Sequence, residues 1–243
     1  MIVSEHLDAT QVAYADVICV PVFDDGYLRE RPEDSQYVME SLMMPMIGQY
    51  YMDKNRLRIV QAHDTVVERM RASTSASLQK RFAQAMQSYC DGVLIQVSER
   101  FGQRLLSLEE ITAIRRNSAG CKPLYHLVEY AHGLQIPDEV FDSPIIQELE
   151  DLGMDMVAIS NDILSYKKEQ AEDVPHNMVA VCRLHGMSVQ QAFDTVGKLL
   201  EHRYQRWDEI KESLPSWCVT ADTDVRRYID GIKSVVSANL NWR

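Results

Sequence analysis

Apolar and polar positions in this chain recur at intervals of three and four residues through most of its length, and strand-like alternation is scarce. Residues 56–72 and 75–100 carry an apolar stripe against charged positions, so each predicts an amphipathic helix. Residues 34–50 predict another, in which the run MMPM sets Pro45 where its ring removes a donor and kinks or ends the helix. Residues 9–24 are mostly apolar and end in VFDD. Further along, side chains mark the boundaries. Ser107-Leu-Glu-Glu110 has the spacing of a capping box. The helix it opens runs through IRRNSAG and is expected to break at residues 118–120, with Pro123 starting a fresh turn that reaches about Ala131. Asp142-Ser143-Pro144 is expected to cap a long helix ending near Gln170, and helices are expected over 175–184, 188–213 and 221–240. No repeat or low-complexity linker interrupts the pattern. It predicts one all-α domain over residues 1–243, whose central helices can surround a pocket.

Composition narrows what such a bundle does. The 243 residues are 46% hydrophobic, enough for a sizeable core. A net charge of −11 and a pI near 5.1 argue against non-specific nucleic-acid binding. The same acidity repels a diphosphate, so such a substrate would need a local positive site with metals. Five cysteines (19, 90, 121, 182 and 218) form no CxxC pair, which points to a reduced, cytoplasmic protein. The start MIVSEHLDATQ has Glu5 and Asp8 where a secretory signal would be basic and then apolar. No stretch approaches 18 apolar residues, so no membrane span is expected.

The stretch NDILSYKKE, residues 161–169, changes the picture most. Steps of four along a helix drift only about 40°, so Asn161, Ser165 and Glu169 share a face within about 80°, spread over about 12 Å. A carboxamide oxygen, a hydroxyl and a carboxylate are hard donors that suit Mg²⁺. Mg²⁺ keeps waters and shares substrate phosphates, so a phosphorylated substrate is the expected other half of the site. Lys168 sits beside these residues, placed to neutralise a phosphate oxygen.

Other constellations are less specific. Asp24-Asp25 follows the first apolar segment and reads either as a cation site or as an ordinary acidic helix end before Gly26. Arg115-Arg116 lies ahead of the expected break and reads either as a surface pair or as a phosphate clamp, since arginine presents two donors at once. Ser165-x-x-Lys168 also fits an SxxK nucleophile, but no SDN or KTG partner occurs. His176-Asn177 reads as a cap or a structural pair. No HExxH, zinc-like spacing or P-loop is present.

Together these residues resemble class I terpene synthases, most of all the sesquiterpene cyclases of mushroom-forming fungi. NDILSYKKE fits the family's second metal motif, N-D-x-x-S-x-x-K-E, and Arg115, 46 residues upstream, matches the spacing of its diphosphate-sensing arginine. RRNSAGCKP, the run from IPDEVFDSP to the motif, and VPHNMVAV also look like the family, over most of residues 80–242. The resemblance implies an α-helical bundle around a central apolar cavity. In it, three Mg²⁺ ions hold the diphosphate of an allylic prenyl substrate, expected to be farnesyl diphosphate. It assigns metal binding to Asp24, supported by Asp25, and to Asn161, Ser165 and Glu169, and diphosphate binding to Arg115 and Lys168. Tyr89, Tyr125 and Trp242 are candidate aromatics of the cavity wall, with core packing as the competing role of each.

Three departures qualify this. The aspartate-rich motif reads DDGYL, with Leu28 in the place of the family's last aspartate and Glu30 as the next acid. Only 23 residues precede Asp24, so the bundle is expected to lack some N-terminal helices. The chain stops at NLNWR, before the family's Arg-Tyr pair would be expected. An opened cavity implies early quenching by water, hence alcohols or acyclic products, unless a partner chain, as in a homodimer, or a repacked N-terminal helix completes the wall. The alternative is a catalytically degenerate protein that binds a prenyl diphosphate or a partner without turnover. A chain-elongating prenyltransferase would need a second aspartate-rich motif where NDILSYKKE stands.

Overall fold

The computed structural model describes residues 32–49, 58–102, 104–172 and 174–241. Among them the chain forms ten α-helices and a short 3-10 turn, and no strand. Helix α1 (Pro32–Met43) ends where Pro45 opens the 3-10 turn Met44–Ile47, so the proline terminates the helix as its missing N–H dictates. Helices α2 (Arg58–Ser73) and α3 (Ala76–Gly102) follow the two amphipathic stretches. The apolar segment at 9–24, with Asp24 and Asp25, lies outside the described residues, as does Trp242.

Helix α4 (Leu108–Ser118) starts on the expected capping box: Glu110 N–H donates to Ser107 Oγ at 3.1 Å, and Ser107 N–H to Glu110 Oε2 at 2.8 Å. Its end is set by Gly120, whose φ of 69° lies in the left-handed region that glycine enters without a Cβ clash. The chain re-enters a helix at once as α5 (Cys121–Ala131). The restart thus comes two residues before Pro123, which falls in the first turn of α5, where a missing N–H costs nothing.

After a single turn, α6 (Asp138–Phe141), the 28-residue helix α7 (Pro144–Ala171) begins with Pro144 as its first residue. Ser143 occupies the capping position, but its hydroxyl makes no cap bond. Helix α8 (Met178–Leu184) starts three residues later than the expected 175, because Asn177 supplies the cap. Helices α9 (Val189–Glu212) and α10 (Val219–Asn241) complete the described chain.

Helix α7 is the hub, packed against α4, α8, α9 and α10. Residues 152–160 are buried without interruption. Met154, Met156 and Val157 join Tyr125, Trp207, Tyr228 and Ile232 in one apolar cluster. Ala158, Ile159 and Tyr166 join Ile111, Met178 and Val179 in a second. A third, built around Met39, Phe82, Met86 and Tyr89, holds α1, α2 and α3 together. Burying these side chains is the dominant favourable term for such a bundle, at about 25 cal/mol per Å² of apolar surface. Buried carboxylates fix the register. Asp155, 1% exposed, pairs with Arg116 of α4 and Arg203 of α9, each at 2.7 Å.

Candidate metal-binding site

Once α7 leaves the core its face turns polar. Asn161 is half-buried, Ser165 is buried and Glu169 is half-buried, while Leu164, Lys167 and Lys168 are exposed. The three oxygen donors therefore lie on the side of α7 nearer its neighbours, as the i, i+4, i+8 spacing requires. Lys168 is in the last turn, where a cation is favoured by the helix dipole.

Arg115 enters this face from α4. It is 8% exposed, and its Nε and Nη2 donate to Asp162 Oδ1 at 3.0 and 2.6 Å. Nη2 also reaches Asn161 Oδ1 at 3.3 Å. The alternative of a surface arginine pair is therefore excluded. Burial opposes the charge on Arg115, but Asp162 and Glu169 outweigh it and hold its pKa above the ordinary value. Asp162 is fully buried. Burial pushes its carboxyl up to about 6, although Arg115 and the N–H of Met178 favour the charged form.

Two residues complete the arrangement: Asp162, which the sequence reading left without a role, and Asn177, which it read as a cap or part of a structural pair. Asp162 Oδ2 accepts the N–H of Met178 at 2.8 Å, tying the start of α8 to α7. Asn177, with no exposed surface, donates from Nδ2 to Asp162 O at 2.8 Å and to Glu169 Oε2 at 2.9 Å. The acid inside NDILSYKKE and the amide of VPHNM were the visible signals. What they touch depends on α8 folding back against α7, and spacing does not report that.

The donor set fits a hard divalent cation. Asn161 presents its amide oxygen, fixed in orientation by the arginine donor. Ser165 Oγ gives its proton to Asn161 O at 2.7 Å, which leaves its lone pairs as acceptors. Glu169 has one oxygen held by Asn177, and among the described residues no hydrogen bond reaches the other. Hard oxygen donors of this kind are what Mg²⁺ takes, and no cluster of three His, Cys, Asp or Glu competes with them among the described residues.

The remaining expected residues divide. Asp24, Asp25 and Trp242 lie outside the described residues, and with them the facing wall of the expected apolar cavity. Tyr89 and Tyr125 are 1% and 0% exposed and sit in core clusters, Tyr89 with α1 and α2, and Tyr125 with α10 and the buried stretch of α7. Tyr125 Oη has no hydrogen-bond partner among the described residues, a state that costs about 1–3 kcal/mol for a buried hydroxyl.

The structure is thus an all-α bundle that groups three oxygen donors on one helix face beside a buried arginine. Residues 17–206 match the model of terpene synthase family 2, C-terminal metal binding, and the chain belongs to that family. It is 33% identical over 226 residues to silphinene synthase peniA of Penicillium patulum, covering 90% of this chain and 61% of that protein. It is 36% identical over 175 residues to sesquiterpene synthase 1 of Postia placenta, covering 72% of this chain and 52% of the relative. The chain thus spans about half to three-fifths of these relatives' lengths. A variant of cucumene synthase has the same fold, with a TM-score of 0.83 at 20% identity over 98% of this chain and 81% of that structure. No helix among the described residues is long and apolar enough to cross a membrane.

Proposed function

We propose that this protein is a terpene cyclase that ionises an allylic prenyl diphosphate in a Mg²⁺-dependent reaction, cyclises the resulting cation and releases diphosphate. The observation that carries the reading is the shared face of Asn161, Ser165 and Glu169 on α7, with Arg115 buried against it. Magnesium, in three ions by resemblance, would supply positive charge that stabilises the diphosphate as it leaves. Asn161, Ser165 and Glu169 would hold it from this side, and Asp24, with Asp25, from the other. Arg115 would donate to diphosphate oxygens by turning guanidinium donors away from Asp162, and Lys168 would add charge at the rim. The apolar wall would exclude water from the cation, with Trp242 as its candidate aromatic, while Tyr89 and Tyr125 serve core packing. No strong general base is required, because the departing diphosphate can take the final proton. Two relatives bear the names silphinene synthase and sesquiterpene synthase, which supports farnesyl diphosphate as the substrate and a sesquiterpene hydrocarbon or alcohol as the product. A cytoplasmic location suits the reduced cysteines, and a second copy of the chain is one source of additional wall.

The test is incubation of purified protein with farnesyl diphosphate and Mg²⁺, followed by gas chromatography of the extract. A terpene that disappears with EDTA is expected. Asn161→Ala and Glu169→Ala should each lower turnover by about 100-fold or more while helicity stays near wild type. Full activity in both variants would exclude the metal assignment. Leu28, in the place of a third aspartate, favours the competing reading of a degenerate binding protein, which would show saturable diphosphate binding without product.

A further inference from the structure

We infer that Asn177 is a positioning residue that holds Glu169 ready for the metal, an inference that rests on the metal-site reading above and adds to it. Its side chain is wholly buried and its two ends have separate tasks. The oxygen caps α8, accepting the N–H groups of Val179 at 2.8 Å and Ala180 at 3.2 Å. The nitrogen plays no part in the cap. It crosses to α7, where it meets Asp162 O at 2.8 Å and Glu169 Oε2 at 2.9 Å. A cap alone is served equally well by serine or aspartate. Only a carboxamide offers an acceptor for α8 and two donors for α7 from one short side chain.

The chemistry of the nitrogen suits a metal ligand's neighbour. Glu169 is half-buried near the end of α7, on a side chain with three rotatable bonds. A neutral N–H on one carboxylate oxygen fixes the rotamer without cancelling the charge, and the second oxygen remains for a cation. A lysine or arginine at that place would neutralise the ligand instead. Glu169 is then pre-ordered by α8, and the cap that forms α8 is the same group that aims the carboxylate. Partners that orient a metal ligand in this way typically change metal affinity by 10- to 100-fold when removed.

The experiment is a titration of the purified full chain with Mn²⁺ in the presence of inorganic pyrophosphate, read by electron paramagnetic resonance. Two substitutions keep a capping oxygen and remove the donor. Asn177→Asp places an oxygen against Glu169, and Asn177→Ser is too short to reach it. Both should raise the half-saturating Mn²⁺ concentration about 10-fold or more, with amide exchange in α8 near wild type. In a Glu169→Ala background, Asn177→Ser should add no further loss. If Glu169→Ala weakens Mn²⁺ binding but neither Asn177 variant does, the positioning role is wrong and the metal site stands. The role is equally overturned if the Asn177→Ser loss persists in full without Glu169. If Glu169→Ala binds Mn²⁺ like wild type, the metal-site reading fails and this inference falls with it.

Discussion

The two ends of α7 are built from opposite materials. Residues 152–160 are buried one after another between α5, α9 and α10, with Asp155 neutralised on both sides. From Asn161 onward burial alternates with exposure, and the buried positions are polar or aromatic: Asp162, Ser165 and Tyr166. The first half has little to offer a ligand and much to offer stability. The second half carries the oxygen donors proposed as metal ligands, and the hydroxyl of Ser165 only bonds a carbonyl of its own helix. One continuous helix joins them, so the anchored half sets the position and direction of the polar one.

Removing the arginines on α4 tests this division most severely. Arg115→Met leaves Asp162 buried without its charge partner, and urea denaturation should show a loss of about 3–5 kcal/mol. Arg116→Met leaves Asp155 still paired with Arg203, so the loss should be smaller, about 1.5–3 kcal/mol. Equal losses would mean that the two halves of α7 lean on α4 alike.

Acid provides a different load, carried in part by a group outside α7. His63 on α2 is buried and bonded through Nε2 to Leu42 O at 2.8 Å. Burial lowers its pKa from 6.5 to about 4, against the pull of that carbonyl. The unfolded chain takes up the proton first. The contribution is therefore fully present above pH 6.5 and is lost as pH falls towards 4, about 3 kcal/mol in all. His63→Gln should flatten that part of the stability profile. An unchanged slope would place the acid sensitivity elsewhere.

Within α7 itself, Gly153→Ala strikes the packed half. A Cβ there would come within 2.6 Å of Ile232 Cγ2 and of Tyr125 Oη. Stability should drop by about 1–3 kcal/mol with Mn²⁺ affinity unmoved. Ser165→Ala strikes the other half. Its hydroxyl bonds a carbonyl of its own helix, so stability should shift by less than about 1 kcal/mol while metal affinity falls. A stability loss at Ser165 matching that at Gly153 would erase the distinction.

Much of this was legible in the chain because local chemistry wrote it. Ser107 and Glu110 spell a cap whose two bonds are both made, Pro45 ends a helix, and the spacing of Asn161, Ser165 and Glu169 defines a face. Where expectation and structure part, a non-local partner or a backbone sign decides. Pro123 looked like a helix start, but Gly120 had already supplied the left-handed step, so α5 begins at Cys121. His176-Asn177 read as a cap or a structural pair, and Asn177 is the cap of α8, but its reach 8 residues back to Glu169 was not visible. Asp162 is one of two acids in NDILSYKKE, and its burial against Arg115 is a property of the α4–α7 packing that no spacing encodes.

Arg115 and Arg116 are neighbours on α4, yet they grip α7 at Asp162 and Asp155, seven residues apart and so about 10 Å along its axis. A rod bolted at two points can neither slide nor swivel. Should a diphosphate draw the guanidinium of Arg115 away from Asp162, the second bolt would keep α4 in place. Such a response would be confined to a few side-chain torsions, fast and local, with the scaffold standing still.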